Sequence, residues 1–135
     1  MLLAQINNIL NLRKSDKPAP TPETVMTEKS FVEKVERIVE NNLQNTRFGI
    51  TDLLKELNIS KTTLTRKLKA ETQLNPSGFI REVRLKNAKT LLTNRQFNID
   101  EISAFVGFNY TSYFIKSFKE SFGVTPSEYR NSPKE

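Results

Sequence analysis

Residues 60–69, SKTTLTRKLK, gather four cations, three threonines and a serine around two apolar side chains, Leu64 and Leu68, with no acid among them. A helix would place Leu64 and Leu68 inward at about 100° per residue, leaving Thr62, Arg66 and Lys69 outward with Thr63 and Thr65 beside them. Residues 110–119, YTSYFIKSFK, have the same character. There Ser112, Tyr113 and Lys116 point outward, with Thr111 at the start and Lys119 at the edge. The chemistry open to both faces is non-covalent. Hydroxyls donate and accept hydrogen bonds, cations only donate, and threonine methyls offer small apolar contacts.

Covalent chemistry has no foothold. The chain has no histidine and no cysteine. A Ser-His or Cys-His nucleophile pair, a zinc or haem site and a disulfide framework are therefore all excluded. Gly49, Gly78, Gly107 and Gly123 lie too far apart to cradle a phosphate in one loop, and no pair of carboxylates stands out. We expect no enzyme, no cofactor and no metal. The absence of cysteine makes the cytoplasm the expected location. No run of about 18 apolar residues exists, so no membrane contact is expected of this segment, and the opening residues lack the pattern of a signal peptide.

Charge points to a partner. Of the net +6, the segment 58–95 alone carries +7, from nine cations against Glu71 and Glu82. Such a one-sign concentration inside a domain suits a polyanion.

The elements that position these residues read as all-α. Residues 2–13 form a short amphipathic pattern that looks like the last piece of another domain, and residues 14–26 contain Pro18, Pro20 and Pro22, a semi-rigid linker. The main domain spans 27–131, followed by a tail at 132–135. It opens with Thr27 as cap of a helix whose apolar side is Phe31, Val32, Val35, Ile38, Val39 and Leu43. Thr51 is the expected cap of residues 51–57, and Ser60 that of the first polar helix. Asn75 and Pro76 start a helix reaching Leu92. Asn98 with Glu101, and Thr125 with Glu128, have capping-box spacing. The fold expected is seven short helices: two helix-turn-helix units joined by a connecting helix.

The two units are in register. Leu53, Leu57 and Asn58 match Ile102, Val106 and Gly107 at an offset of 49; Leu64, Leu68 and Lys69 match Phe114, Phe118 and Lys119 at 50. The second turn is thus one residue longer. Tyr110, Phe114, Phe118 and Phe122 form an i,i+4 stripe expected in the core.

Double-stranded DNA rewards faces of this kind. Arg or Lys reaches guanine O6 and N7, hydroxyls meet base edges, and threonine methyls touch thymine methyls. Helices entering successive major grooves stand about 34 Å apart. A connecting helix of about 17 residues spans roughly 25 Å, a suitable strut, and two rigidly held insertions would bend the duplex.

The pattern Ser60…Leu64-x-Arg66-Lys67-Leu68-Lys69, Asn75-Pro76…Phe79-Ile80…Arg84-Leu85…Ala88…Leu91-Leu92, Ile102…Val106-Gly107-Phe108…Tyr113-Phe114…Phe118-Lys119 and Phe122-Gly123-Val124-Thr125-Pro126…Tyr129-Arg130 resembles the AraC/XylS-type DNA-binding domain across residues 31–130. Asn58 and Leu54 depart from the glycine and alanine usual there. The resemblance implies base contacts from Thr62, Thr65 and Arg66 in one unit and from Thr111, Ser112 and Lys116 in the other. Lys67, Lys69, Asn45, Arg47, Tyr113 and Lys119 are the expected phosphate contacts. Arg84 is expected to lock the units through a salt bridge to an acid such as Glu101; Arg81 is not expected to meet DNA.

Residues 2–14, LLAQINNILNLRK, resemble the final helix of a response-regulator receiver domain. That implies the C-terminal end of a hybrid two-component regulator, controlled by phosphorelay, with self-association or RNA polymerase contact as further expectations. The rival reading is a helical protein-interaction module whose basic face docks an acidic partner. RNA binding or hydrolysis ranks third.

Overall fold

Short polar side chains set where four of the helices of this chain begin. A computed structural model describes residues 28–132; Thr27, the 2–13 segment, the linker and residues 133–135 lie outside the described residues. The helices are α1 (Glu28–Asn41), α2 (Ile50–Leu57), α3 (Lys61–Thr72), α4 (Pro76–Leu92), α5 (Ile99–Phe105), α6 (Thr111–Phe122) and α7 (Pro126–Asn131). No strand occurs among the described residues. The Ser60 hydroxyl accepts from the Thr63 N–H at 3.1 Å and starts α3. Asn75 Oδ1 accepts from the Gly78 N–H at 2.8 Å, and Pro76, which has no N–H to lose, takes the first position of α4.

Both expected capping boxes form. Asn98 and Glu101 exchange side-chain-to-backbone bonds of 2.8 Å. Thr125 and Glu128 do the same at 3.1 and 2.9 Å. The Thr125 N–H holds the Glu128 carboxyl below its usual range. Thr51 does not cap α2. That helix begins one residue earlier, at Ile50, and the Asp52 carboxylate turns back to accept from the Gly49 N–H at 3.0 Å.

Val32 opens the compact unit that holds the elements below. The connecting helix α4 is more than a strut. It packs against α3, α5, α6 and α7 and buries Phe79, Ile80, Val83, Leu85, Ala88 and Leu92 along its length. A helix apolar on most sides must lie inside, so α4 supplies core to both units. Leu85, Ala88 and Leu92 join Ile102, Val106, Phe108, Phe114 and Phe118 in one buried cluster, with Phe122, Val124 and Tyr129 packed on it. Phe114, Phe118, Phe122 and Tyr129 meet edge to face, with centroids 4.7 to 5.9 Å apart.

The internal repeat is physical. Leu53, Leu64 and Leu68 are fully buried in the first unit, as are Ile102, Val106, Phe114 and Phe118 in the second. Asn58 and Gly107, the matched turn residues, both take positive φ, +57° and +97°. Three residues separate α2 from α3 and five separate α5 from α6. One of the two extra residues is the change of offset; the other arises because α5 stops one residue early, with Val106 as its C-cap.

Two further expectations are corrected. Tyr110 leaves the aromatic stripe: it is the extended N-cap of α6 and is 71% exposed. The i,i+4 rule applies only within a helix, and Tyr110 precedes its first turn. Arg84 makes no salt bridge to Glu101, whose carboxylate serves the Asn98 cap. Its buried guanidinium instead donates to four backbone carbonyls: Leu43 at 2.6 Å, Val106 at 2.7 Å, Asn45 at 3.1 Å and Phe48 at 3.4 Å. Three belong to the α1–α2 connection and one to the α5–α6 turn. Arg84 therefore does tie the two units, through carbonyl dipoles rather than a carboxylate. Burial lowers its pKa from the ordinary arginine value.

Candidate nucleic-acid interface

The face of α3 follows from its two anchors. With Leu64 and Leu68 fully buried, Thr62, Arg66 and Lys69 are exposed and Thr65 is half-buried at the rim. Thr63 is spent locally, since its hydroxyl accepts from the Ser60 hydroxyl at 3.0 Å while its N–H caps. Thr62, Thr65 and Arg66 lie along one side, with Lys67 half-buried.

On α6, Phe114 and Phe118 are the anchors. Ser112, Tyr113, Lys116 and Lys119 are exposed, and Thr111 is half-buried in the first turn. The Tyr113 ring leans edge-on against Phe108, with centroids 5.7 Å apart, which fixes the ring while leaving half the residue in solvent. No side chain caps α6, whereas Ser60 caps α3. The N–H groups of its first turn are left for another acceptor.

The cations of the basic segment separate into two sets. Apart from Arg81, those of α4 and its exit are bound to the protein. Lys86 pairs with Glu36 at 2.7 Å, and that hydrogen bond raises the Lys86 pKa. Lys89 stands 4.4 Å above the Phe122 ring and 5.5 Å from that of Tyr129, a cation–π contact. Arg95 donates to the Arg130 carbonyl and to Asn131 Oδ1, both at 3.3 Å. Arg84 is buried in its carbonyl cage. On α3 and α6 the situation is reversed: Arg66, Lys69 and Lys116 are exposed and pair with no described residue. Composition alone could not make this distinction.

Asn45 and Arg47, ahead of α2, are both exposed. Asn45 Oδ1 accepts from the Arg47 N–H at 2.9 Å, and the Asn45 carbonyl is one of the four that hold Arg84. Their backbone is thus set rigidly. The Asp52 carboxylate places a negative charge at the start of α2, so an anion there would rely on the side chains more than on the helix end.

A groove that the residue pattern did not signal runs between the α1–α2 connection, α4 and the α5–α6 turn. It is lined by Thr46 ahead of α2, by Ser77, Ile80 and Arg81 on α4, and by Asn109, Tyr110 and Tyr113 around the start of α6. Ser77 and Arg81 are an i,i+4 pair, but only the fold brings Thr46 and Asn109 to them. Among the described residues no group of His, Cys, Asp and Glu could hold a metal ion, and no helix is long and apolar enough to cross a membrane.

Comparison with known proteins agrees with this geometry. A family model described as a helix-turn-helix domain matches residues 53–132, more than half of the chain. Histidine kinase P4 of Formosa agariphila is 38% identical over 130 residues, covering 96% of this chain but 9% of the kinase. Several transcriptional activators and regulators follow, of whose own length the chain spans between 36% and 41%. The C-terminal domain of AraT, a response regulator from Geobacillus stearothermophilus, superposes with a TM-score of 0.67 at 25% identity, over 77% of this chain and 86% of that one. A Chromobacterium violaceum regulator described as containing an AraC-type DNA-binding domain gives 0.66, also at 25%, over 76% of this chain and 94% of its own.

Proposed function

The chain belongs to the AraC-type helix-turn-helix family, whose members are DNA-binding transcription-regulator domains and not enzymes, and from that premise we propose that it reads double-stranded DNA by sequence, inserting α3 and α6 into adjacent major grooves. One observation carries the reading: the two matched helices bury Leu64, Leu68, Phe114 and Phe118 and turn outward short polar groups and unpaired cations. Thr62, Thr65 and Arg66 on α3, with Thr111, Ser112 and Lys116 on α6, contact bases. Lys67, Lys69, Lys119, Tyr113, Asn45 and Arg47 contact phosphates. The uncapped start of α6 offers its N–H groups to a further phosphate.

Control comes from upstream. Residues 1–13 are the end of a receiver-like domain and residues 14–26 the linker, so phosphorelay to that receiver changes how the reading domain is presented. The histidine kinase and response-regulator relatives support this reading, as does the resemblance of residues 2–14. The regulator acts in the cytoplasm.

A protein contact accompanies DNA binding, with RNA polymerase or a second copy as partner. Phe97 and Phe105 favour it: they are 39% and 45% exposed and flank a hollow with Leu91, Ile102 and Glu101.

Selection from a randomised duplex library, followed by anisotropy titration of the selected and scrambled duplexes, tests the proposal. Tight, preferential binding that weakens with salt is expected. Equal affinity for both duplexes, or none at about 0.15 M salt, would refute specific reading.

A further inference from the structure

We infer that the groove between the two helix-turn-helix units is a phosphodiester site, in which Arg81 holds the DNA strand that crosses between the two major grooves. The inference rests on the DNA reading above and adds a contact that neither the residue pattern nor the relatives' descriptions assign.

Consider what lines the groove. Thr46 and Ser77 bring hydroxyls, Asn109 an amide, Tyr110 and Tyr113 phenols, and Arg81 a guanidinium. No carboxylate is among the lining residues. Every polar side chain there can donate a hydrogen bond, which is the chemistry a phosphate oxygen requires.

Arg81 and Arg84 share this groove yet differ in one respect. Arg84 is satisfied by four carbonyls. Arg81 is half-buried, and neither an acid nor a carbonyl among the described residues pairs with it. A guanidinium whose donors meet only solvent in a groove is free to exchange that water for an anion. The other cations of α4 are provided for: half-buried Lys89 has its aromatic rings, and even the exposed Lys86 has Glu36. Arg81 stands out from them.

Position selects the anion. The groove is bounded by Thr46, just ahead of the first unit's α2, and by Asn109 and Tyr110, just ahead of the second unit's reading helix. With α3 and α6 each in a major groove, the strand lying between those grooves must cross from one unit to the other. The α1–α2 connection that leads into the first unit and the α5–α6 turn of the second meet at α4 in the groove of Arg81. A backbone contact there carries affinity and register but no base preference.

The test uses the full chain and the duplex selected from the randomised library, with Arg81→Gln and Arg81→Lys. Each neutralised phosphate contributes about 0.9 to the slope of log affinity against log salt. Arg81→Gln should lower that slope by about one, so that raising salt fourfold weakens it about 3.5-fold less than the parent. Its base-preference profile should be unchanged, and Arg81→Lys should keep the parent slope. Ethylation of individual phosphates should block the parent at a position between the two half-sites and leave Arg81→Gln indifferent there.

A parent-like slope for Arg81→Gln would overturn the proposal, as would altered preference at one base pair, or retained interference at the central phosphate. The ethylation pattern remains decisive if Arg81→Gln also loses stability, because it compares positions within one protein. If the parent itself shows no preference for the selected duplex, the DNA reading fails; if only Arg81→Gln behaves like the parent, this site alone fails.

Discussion

Gly107 leaves open the space that the Arg84 guanidinium occupies. A β-carbon at residue 107 would collide with that guanidinium and with the Leu43 carbonyl oxygen, at a backbone φ of +97°. Gly123 also has a positive φ, +84°, but nothing lies within 4 Å of its missing β-carbon. Gly123→Ala should therefore cost only the backbone strain, roughly 1–2 kcal/mol. Gly107→Ala adds displacement of the carbonyl cage and should cost roughly 3–5 kcal/mol. Urea unfolding of both variants measures the difference. Equal losses would mean that conformation alone selects glycine at 107.

Arg84→Met would leave the Leu43, Val106 and Phe48 carbonyls without their donor, while the Asn45 carbonyl keeps the Phe48 N–H at 3.0 Å. Stranded buried polar groups cost about 1–3 kcal/mol each before relaxation, so a total near 3–5 kcal/mol is expected. Arg84→Lys keeps the charge but loses the planar fork and should recover less than half of that. Full recovery in thermal unfolding would show that charge, not geometry, holds the two units.

Bases and phosphates should separate by mutation. Arg66→Ala should relax preference at one position of one half-site, losing about 1–3 kcal/mol there, and Lys116→Ala should do the same in the other half-site. Lys69→Ala should weaken all duplexes alike and reduce the salt slope by about one. An unchanged preference profile for Arg66→Ala would remove that residue from the reading face.

The aromatic stripe divides sharply at the start of α6. Phe114 is fully buried and Tyr110 is 71% exposed. Phe114→Ala should cost roughly 3–5 kcal/mol in calorimetry, and Tyr110→Ala no more than about 0.5. Comparable costs would put Tyr110 back in the core.

The Lys86–Glu36 pair ties α4 to α1 and raises the Lys86 pKa from 10.5, first through its hydrogen bond. A raised cationic pKa stabilises the fold fully below the unfolded lysine value, and that stabilisation is lost as pH rises through the folded one. Because Lys86 is 68% exposed, the pair should contribute only about 0.2–1 kcal/mol at neutral pH. The stability difference between the parent and Lys86→Met should fade above the ordinary lysine range. A difference that persists in strong alkali would locate it in packing instead.

Local chemistry was legible in the residues. Ser60, Asn75, Asn98 and Thr125 cap helices because each bond joins groups three residues apart, a relation that needs no knowledge of the fold. Periodicity likewise located Leu64, Leu68, Phe114 and Phe118, and the in-register repeat announced two units with matched turns. Local rules stop at the ends of their elements. The i,i+4 stripe does not reach Tyr110, which precedes the first turn of α6, and at α2 the Asp52 carboxylate, one residue after Thr51, reaches back to the Gly49 N–H.

By itself, then, the amino-acid order determined seven helices, two anchored polar faces and the chemistry on them, because helix periodicity and capping act over three or four residues. The tertiary structure alone decided which cations remain available. Arg84 meets carbonyls 22 to 41 residues away, Lys86 meets a carboxylate 50 residues away, and Arg81 comes to rest between the α1–α2 connection and the α5–α6 turn. Sequence patterns cannot rank such partners, since a buried guanidinium accepts any well-placed oxygen and only the packed chain determines which oxygens are within reach.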